Sequence, residues 1–243
     1  MKTKILLISI LSLFIFSCKS DDESSVATTI PADQKYLSKV TNDEGAVLIS
    51  LEYNSDKKIK KKISGDSQFR YEYDQNGKVT KCYFSLPETP TIVTDFVHDA
   101  NGNIVGYTQN DIEYKVEKIG NKYLFINNDD AYEVDVNNNN EILKFKTGDT
   151  QLDFFIVDGK LGPLFNTNNT SIYDCISTPF SYFFFSALNN LNHEPIEEII
   201  GGLGPITFQN EYDQDGFLKR SVINYNFGDG PQTAYMNYQY TKL

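Results

Sequence analysis

The amino-acid sequence predicts an all-β protein, an antiparallel meander of repeated hairpins that forms a curled sheet or a partly closed barrel. Three observations predict this fold class. Short segments alternate apolar and polar residues, turn motifs rich in Asp, Asn and Gly separate them, and the combined unit recurs along the chain. Alternation with a period of two is typical of a strand with one buried face. Recurrence of a supersecondary unit is typical of a repeat architecture.

The clearest unit is the hairpin centred on Asp74-Gln75-Asn76-Gly77. Aromatic residues alternate with polar ones just before this turn, at Phe69, Tyr71 and Tyr73. The Asp74 side chain can accept hydrogen bonds from the backbone ahead of it, and Gly77 can take the left-handed conformation that closes a bulged hairpin. We therefore predict a strand on each side of this turn.

Copies of this turn recur along the chain. Asp99 to Gly102 and Asp213 to Gly216 are clean copies. Weaker copies place the marker residue at Asn54, Asp135 and Asp158. The first intervals between markers are 20 and 25 residues, which fits an array of two-stranded units. Strands are expected from Tyr36 onward, with Gly106 inside one of them.

One segment departs from the strand pattern. Apolar residues from Pro179 to Leu191 recur at helical spacing on one face. Thr178 can serve as the N-cap and Pro179 can occupy the first helical position. The sequence therefore predicts one amphipathic helix near 179–191. It is expected to lie on the apolar face of the sheet, and the alternative is a helix that binds a membrane or a partner.

The first 17 residues have the layout of a secretory signal peptide. Lys2 and Lys4 precede an apolar run, Ile5 to Phe16, which is too short to span a bilayer. Ile15-Phe16-Ser17-Cys18 resembles the lipobox of bacterial lipoproteins, and this resemblance implies that Cys18 becomes the acylated N-terminus. The alternative is an ordinary signal peptide with an incidental cysteine.

The residues after Cys18 resemble the export signal of Gram-negative lipoproteins that reach the outer face of the outer membrane. That signal would consist of Lys19, Ser20, Asp21, Asp22 and Glu23. A solvated tether is the simpler reading, because acidic runs are commonly exposed tails. We divide the chain into a signal peptide at 1–17, an acylated cysteine with a flexible acidic tether at 18–35, and a single β-repeat domain at 36–243.

The charge balance bears on the class of partner. Removal of residues 1–17 from the 243-residue chain leaves 226 residues. Because the removed part carries two lysines and no acid, the net charge would change from −11 to −13. A protein this acidic lacks the basic stripe that neutralises phosphates, so we predict no nucleic-acid partner.

The turn motif carries a second resemblance. Tyr73 to Gly77 and Tyr212 to Gly216 share the pattern Tyr-Asp-x-x-Gly, which resembles the YD repeat of Rhs-type proteins. The resemblance covers about residues 45–225 and implies a curled meander sheet or a partly closed barrel.

Motifs for catalysis or metal binding are scarce in this sequence. We predict no catalytic residue, no metal site and no cofactor. His98 and His193 are expected on surface loops, since neither has the spacing of a zinc site. The turn after Asp99 shares alternating oxygen side chains with a calcium loop. However, it has Ile104 and Asn110 where such a loop needs Gly and Glu.

Two further features leave alternatives open. The lysine-rich run from Lys57 to Ile63 is expected to be a protected sheet edge, and the alternative is contact with anionic lipid. Cys82 and Cys175 either form a disulfide or remain two separate buried thiols.

These observations together predict an outer-membrane lipoprotein, anchored by lipid and facing the cell exterior, with the periplasmic face as the alternative. We interpret it as a non-enzymatic binding or envelope accessory module. Its expected partner is an envelope protein or a glycan, because alternating tyrosines can form a binding face. One alternative is an exported hydrolase that acts on polysaccharide or peptide through an unrecognised carboxylate site. The other is a purely structural envelope protein.

Overall fold

The protein is built from short antiparallel strands. A computed structural model describes residues 31–126, 131–178, 190–202 and 204–243. The described residues form sixteen strands: β1 Tyr36–Thr41, β2 Val47–Tyr53, β3 Ile59–Ser64, β4 Ser67–Tyr73, β5 Val79–Ser85, β6 Ile92–His98, β7 Ile104–Gln109, β8 Ile112–Ile119, β9 Lys122–Ile126, β10 Ala131–Val136, β11 Ile142–Thr147, β12 Thr150–Ile156, β13 Ile196–Gly201, β14 Ile206–Tyr212, β15 Leu218–Tyr225 and β16 Gln232–Thr241.

Short helices accompany the strands. A 3-10 helix, Ala32–Gln34, precedes β1, and the helix α1, Ser171–Ser177, lies between β12 and β13. No helix in the described ranges is long and apolar enough to cross a membrane. The helix predicted near 179–191 falls almost entirely on residues 179–189, outside the described residues. Thr178, its proposed N-cap, is the residue at the C-terminal end of α1.

The sixteen strands close into one barrel. Each strand pairs antiparallel with its neighbour in sequence, and β1 pairs with β16 from Tyr36↔Thr241 to Thr41↔Asn237. The predicted all-β meander is therefore confirmed, and its sheet closes completely. The expectation that Lys57 to Ile63 forms a sheet edge is wrong, because β3 pairs with β2 on one side and with β4 on the other.

The meander sorts its turns between two ends of the barrel. Successive hairpins of a meander point in opposite directions, so every turn that follows an even-numbered strand lies at the same end. Five-residue turns at 54–58, 74–78, 99–103, 137–141 and 213–217 all follow even-numbered strands. We call this end of the barrel the turn end and the opposite end the far end.

The turns at the turn end share one hydrogen-bond pattern. Asp74 Oδ1 accepts from the backbone N–H groups of Asn76 and Lys78, both at 2.9 Å. Asp99 and Asp213 accept in the same way from residues two and four positions ahead. The fourth residue of each turn has positive φ, +81° at Gly77, +85° at Gly102 and +85° at Gly216. Glycine is suited to this conformation because it lacks a Cβ.

Two weaker copies of the turn differ from the expected register. The turn after β10 starts at Asn137, whose Oδ1 accepts from residues 139 and 141, and not at Asp135, which lies within β10. The motif at Asp158 does not close a hairpin, because the chain leaves the sheet there before returning in β13. Asparagine can replace aspartate at the first position because both offer the same acceptor oxygen.

Tyrosines tie neighbouring hairpins together at the turn end. The Tyr53 hydroxyl donates to the carbonyl of Leu37 at 2.7 Å, and the Tyr73 hydroxyl donates to that of Ile59 at 2.5 Å. Tyr240 makes the corresponding bond on β16, to Leu218 O at 2.6 Å. Each bond runs from the end of an even-numbered strand to the start of the strand before it. These three tyrosines therefore hold neighbouring strands together at the rim of the barrel.

The alternation along each strand separates an apolar interior from an exposed outer wall. Inward residues such as Phe69, Phe84 and Phe125 belong to one continuous buried core. Opposite charges face each other across strands on the outside, in the pairs Glu52–Lys61, Lys81–Asp95, Lys144–Asp153 and Glu211–Arg220. The same wall exposes apolar side chains, among them Val97, Ile119 and Phe155. The wall therefore combines charged pairs with exposed apolar residues.

We expect Gly216→Val to destabilise the fold by about 1–3 kcal/mol, because a β-branched residue resists the left-handed conformation. A Cβ at Gly216 would have no neighbour within 4 Å, so the backbone alone determines the cost. Gly106→Val is the matched control. Gly106 lies in β7 and does not have a positive φ. A Cβ there would approach only Tyr114 O, at 3.1 Å. Urea unfolding measures both variants, and equal losses would contradict this account of the turns.

Candidate functional site

The chain between β12 and β13 folds into the barrel. We call residues 157–195 the plug segment, of which 157–178 and 190–195 are described. It enters at the turn end, where Leu161 forms a parallel bridge with Phe217. The helix α1 packs against β5 and β6. The plug residues Leu164, Ile172 and Ile176 belong to the same buried core as the inward faces of the strands. The described part of the plug segment therefore lies in the lumen and packs against the core.

A buried ion pair fixes the plug to the barrel wall. Lys62 points inward, because its neighbours across the sheet, Leu51 and Phe69, are core residues. Its ammonium group contacts the Asp174 carboxylate of α1, and both side chains are almost fully buried. The Tyr71 hydroxyl donates to the same carboxylate at 2.5 Å. Since a buried charge is costly without its partner, this cluster fixes the position of α1 inside the barrel.

The two candidate disulfide cysteines are free thiols in this structure, and both are buried. Cys82 lies beside Asp174 and Ser177 of α1, whereas Cys175 interacts electrostatically with Tyr107 and Tyr132. Consecutive helical residues point about 100° apart, so the face that carries Asp174 is not the face that carries Cys175. In the structure the two cysteines are therefore separate buried thiols. Burial raises the pKa of the Cys82 thiol to about 12.

The two histidines are half-buried and contact plug residues. His98, at the end of β6, has its Nε2 3.3 Å from the Tyr173 hydroxyl of α1. His193, within the plug segment, has its Nε2 2.9 Å from the carbonyl oxygen of Thr167. Burial lowers the pKa of both imidazoles. Neither histidine is therefore the fully exposed loop residue that was expected, because the lumen holds a segment that the strand pattern does not reveal.

A second buried carboxyl holds the other end of the plug segment. Glu141 has no exposed surface, and its Oε1 accepts the backbone N–H groups of His193 and Glu194. The Asn137 amide nitrogen lies 3.2 Å from Glu141 Oε2 and 3.3 Å from Glu194 Oε2. Burial raises the pKa of Glu141 to about 7.

Catalytic acids often have a carboxyl pKa near neutrality, but buried carboxyls with a structural role can have one as well. Glu141 is enclosed and its oxygens are occupied by the plug backbone and an amide, so its role in this structure is to hold the plug. No motif in the sequence marks Glu141 as a buried carboxyl. Its position as the fifth residue of the turn is the feature that could have pointed to it, since Lys78, Asn103 and Phe217 occupy that position in other copies.

A small cavity lies between the wall and the described part of the plug segment. This cavity of about 30 Å³ lies beside Lys62, Asp174 and Thr170, under Leu164 and Ile142. It has room for little more than water. Within the described ranges, no three His, Cys, Asp or Glu side chains are grouped to hold a metal ion. This cavity is too small for a substrate.

The chain enters the barrel at the turn end. The Asn166 amide of the plug segment donates to the carbonyls of Ala32 and Lys35, at 2.6 and 2.9 Å. The Lys35 ammonium group donates to Asp213 and Asp215, both at 2.6 Å. The start of the described chain is thus fixed to the plug and to the turn after β14. Cys18 and the predicted export signal at 19–23 lie outside the described residues.

The outer wall has an open groove at the far end of β14, β15 and β16. Its volume is about 420 Å³. The residues that line it are uncharged: Gly204, Pro205, Thr207, Asn224, Tyr225, Asn226, Pro231, Gln232 and Thr233. A second open groove, on the wall formed by β6 to β8, includes the charged residues Glu113 and Lys115. The outer wall therefore offers ligand-sized surfaces that differ in charge.

Comparison with known proteins identifies distant structural likenesses. A porin-like protein from Bacteroides uniformis has 14% sequence identity and a TM-score of 0.47, covering 86% of this chain and 96% of that chain. The pore of the Photorhabdus luminescens Tc holotoxin has 7% identity and a TM-score of 0.28, covering 76% of this chain and 9% of that chain. No family model matches the sequence, and no curated protein matches it. Function therefore has to be inferred from the described residues.

Lys62→Met should destabilise the protein by about 3–5 kcal/mol, because it leaves the Asp174 charge buried without a partner. Lys62→Met combined with Asp174→Asn should be less destabilising than Lys62→Met alone. The control is Lys61→Met, the neighbouring outward lysine, which should cost at most about 1 kcal/mol. Denaturant unfolding measures all three. Similar losses for Lys61→Met and Lys62→Met would show that the buried pair does not fix the plug.

Glu141 should make stability depend on pH. Its folded pKa lies above the ordinary value, so the folded state holds a proton that the unfolded state has already lost. The Glu141 contribution to stability should therefore fall as the pH rises from about 4.5 to about 7, whereas His98 and His193, whose pKa values are lowered from 6.5, contribute in the opposite direction. Glu141→Gln should show a smaller fall than the parent across this window, while Glu113→Gln, on the exposed wall, should follow the parent. Identical pH profiles for parent and Glu141→Gln would contradict this role.

Proposed function

We propose that this protein is a lipid-anchored protein of the outer membrane, a non-enzymatic module whose plugged barrel presents its outer wall to a binding partner. The proposal rests on the contrast between what occupies the interior of the barrel and what its outer wall presents. The lumen holds the described part of the plug segment and a continuous apolar core, whereas the wall carries charged pairs, exposed apolar residues and open grooves. A binding partner can therefore reach the outer surface of this barrel but not its interior.

The filled lumen separates this barrel from a channel. Sixteen-stranded barrels can enclose a water-filled passage. Here Asp174 and its helix cross that space, and Glu141 holds the segment where it leaves. Glu141 and Tyr71, whose pKa values are raised by burial, both bond residues of the plug segment. This arrangement favours a rigid scaffold over a transport or catalytic role.

The entry point of the chain supports an orientation. If Cys18 is acylated, twelve residues separate it from Pro31 at the turn end. An extended segment of this length reaches about 40 Å at most. The turn end would then be tethered towards the bilayer and the far end would face away from it. The acidic residues after Cys18 resemble a surface-export signal, so we place the far end outside the cell.

The anchor is tested with Cys18→Ala. We expect the parent protein to partition with membranes and the variant to remain uncleaved or to become soluble, because the thioether would be the attachment. Detergent phase separation of cell fractions measures this. Cys82→Ala is the control, since that thiol is buried in the barrel. A Cys18→Ala protein that partitions like the parent after processing would contradict lipid anchoring.

The same cells test the orientation. Protease added to intact cells should remove the parent domain, and replacement of Asp21, Asp22 and Glu23 by Ala should protect it by retaining it on the periplasmic side. A parent that is cut only after lysis would place the barrel in the periplasm.

A further inference from the structure

We propose that the far-end groove on β14, β15 and β16 is a binding site for a neutral glycan. This inference rests on the proposed function, since it names a ligand class for the exposed wall. We call the site the amide groove, after Asn224, Asn226 and Gln232, which line it.

The amide groove is built from side chains in register. Thr207, Asn224 and Thr233 are direct partners across β14, β15 and β16. They point outward, because their sequence neighbours Ile206, Phe208 and Ile223 are buried in the core. Pairing in a sheet holds such a row at fixed spacing. The groove is therefore a rigid surface on paired strands, extended at the rim by the loops that carry Pro205 and Pro231.

Hydrogen bonds within the groove leave donors facing outward. The Thr233 hydroxyl donates to Asn224 Oδ1 at 3.0 Å, and Asn226 Oδ1 accepts the backbone N–H of Gly228 at 3.0 Å. Each amide oxygen is thus engaged while its NH2 group remains available as a donor. Among the described residues, none bonds the exposed side chains of Thr207 or Gln232. The groove therefore offers both donors and acceptors at its surface.

The charge of the groove restricts the ligand. The residues that line it carry no formal charge, and the charged residues beside it are acidic: Glu198 pairs with Thr207 across β13 and β14, and Asp229 lies in the loop that carries Pro231. Burying a ligand charge against uncharged groups is unfavourable without an opposite charge. A ligand that exchanges hydrogen bonds with amides and hydroxyls and has no charge of its own fits this surface. Sugar hydroxyls both donate and accept, so a neutral glycan has the matching chemistry.

An aromatic ring lies at the edge of the site. Tyr225 lines the groove, and its ring packs against Phe227, with centroids 4.7 Å apart, and against the barrel core. Tyr235, in the next outward row, lies outside the groove, and the Arg220 guanidinium is 5.2 Å from its ring centroid. A tyrosine ring offers an apolar face with a polar tip, which suits the C–H face of a sugar ring. An open groove with a ring beside it favours a chain of sugars over a small enclosed molecule.

The site is tested with the full-length lipidated protein in detergent, over immobilised neutral oligosaccharides of glucose, galactose, mannose and xylose. Acidic polysaccharides and unstructured peptides serve as comparison ligands. We expect binding to at least one neutral oligosaccharide. Asn224→Ala combined with Gln232→Ala should weaken it about tenfold or more, since two hydrogen bonds are lost. Gln151→Ala and Asn139→Ala, on the wall and at the turn end, should bind like the parent.

A second measurement does not depend on variants. Titration of the parent with the bound oligosaccharide should shift the side-chain NH2 resonances of Asn224 and Gln232 and leave that of Gln151 unchanged. Absence of binding to every neutral oligosaccharide, binding unaffected by the groove variants, or binding only to acidic polysaccharides or peptides would each overturn the glycan site.

These outcomes are separate from the anchor test. A protein that needs Cys18 for membrane attachment but binds no glycan refutes only this inference, and one that binds glycan without membrane attachment refutes only the anchor.

Discussion

Closure of the sheet is the constraint on which the rest of this structure depends. Sixteen strands enclose a lumen that inward side chains alone do not readily fill, and an unfilled lumen would expose their apolar groups to water. The protein meets this constraint with the plug segment. The Lys62–Asp174 pair and the Glu141 carboxyl then determine where that segment enters, turns and leaves. Closure thus explains why charged groups lie in an otherwise apolar interior.

The two ends of the barrel are unequal because the meander sends alternate connections to opposite ends. The turn end carries the five-residue turns, the rim tyrosines and the plug. Its backbone groups are engaged by side chains such as Asp74 and Tyr73. The far end carries other connections, among them the loops that bring Pro205 and Pro231 to the amide groove. Binding loops placed on a rigid scaffold are a common arrangement in proteins. The repeated turn therefore has a structural role at one end, and the opposite end remains free to differ.

Local features of this fold were predictable from the sequence, and long-range ones were not. The alternation at Phe69, Tyr71 and Tyr73 and the turn at Asp74 depend on neighbouring residues, so they can be deduced from the printed chain. Closure requires β1 to meet β16 across the whole chain, and no local pattern encodes that contact. The same limit explains the wrong assignment of the basic run. Lys62 is an inward residue whose partner, Asp174, lies more than a hundred positions away.

The candidate sites were hidden for the same reason. Glu141 resembles any acid that follows an Asn-rich turn until the fold places it against the plug backbone. Thr207, Asn224 and Thr233 form a row only through strand register, which shifts at bulges such as the one between Glu211 and Tyr212. Register cannot be counted from the sequence when bulges interrupt it. Charge composition, in contrast, does not depend on the fold, so the prediction of no nucleic-acid partner needed only the sequence.

The pairing of Tyr36 with Thr241 also makes the barrel a ring in which no hairpin is topologically first. Both ends of the described domain lie at the turn end, on adjacent strands. A circular permutant that joins these ends and opens the chain at 226–231 would retain every other connection of the sheet. Its N-terminus would emerge at the opposite rim, so an attached lipid would hold the barrel upside down. If a lipid at the N-terminus anchors the protein, the direction in which the barrel faces would therefore depend on where the ring of strands is opened, and the same set of strands is compatible with either direction.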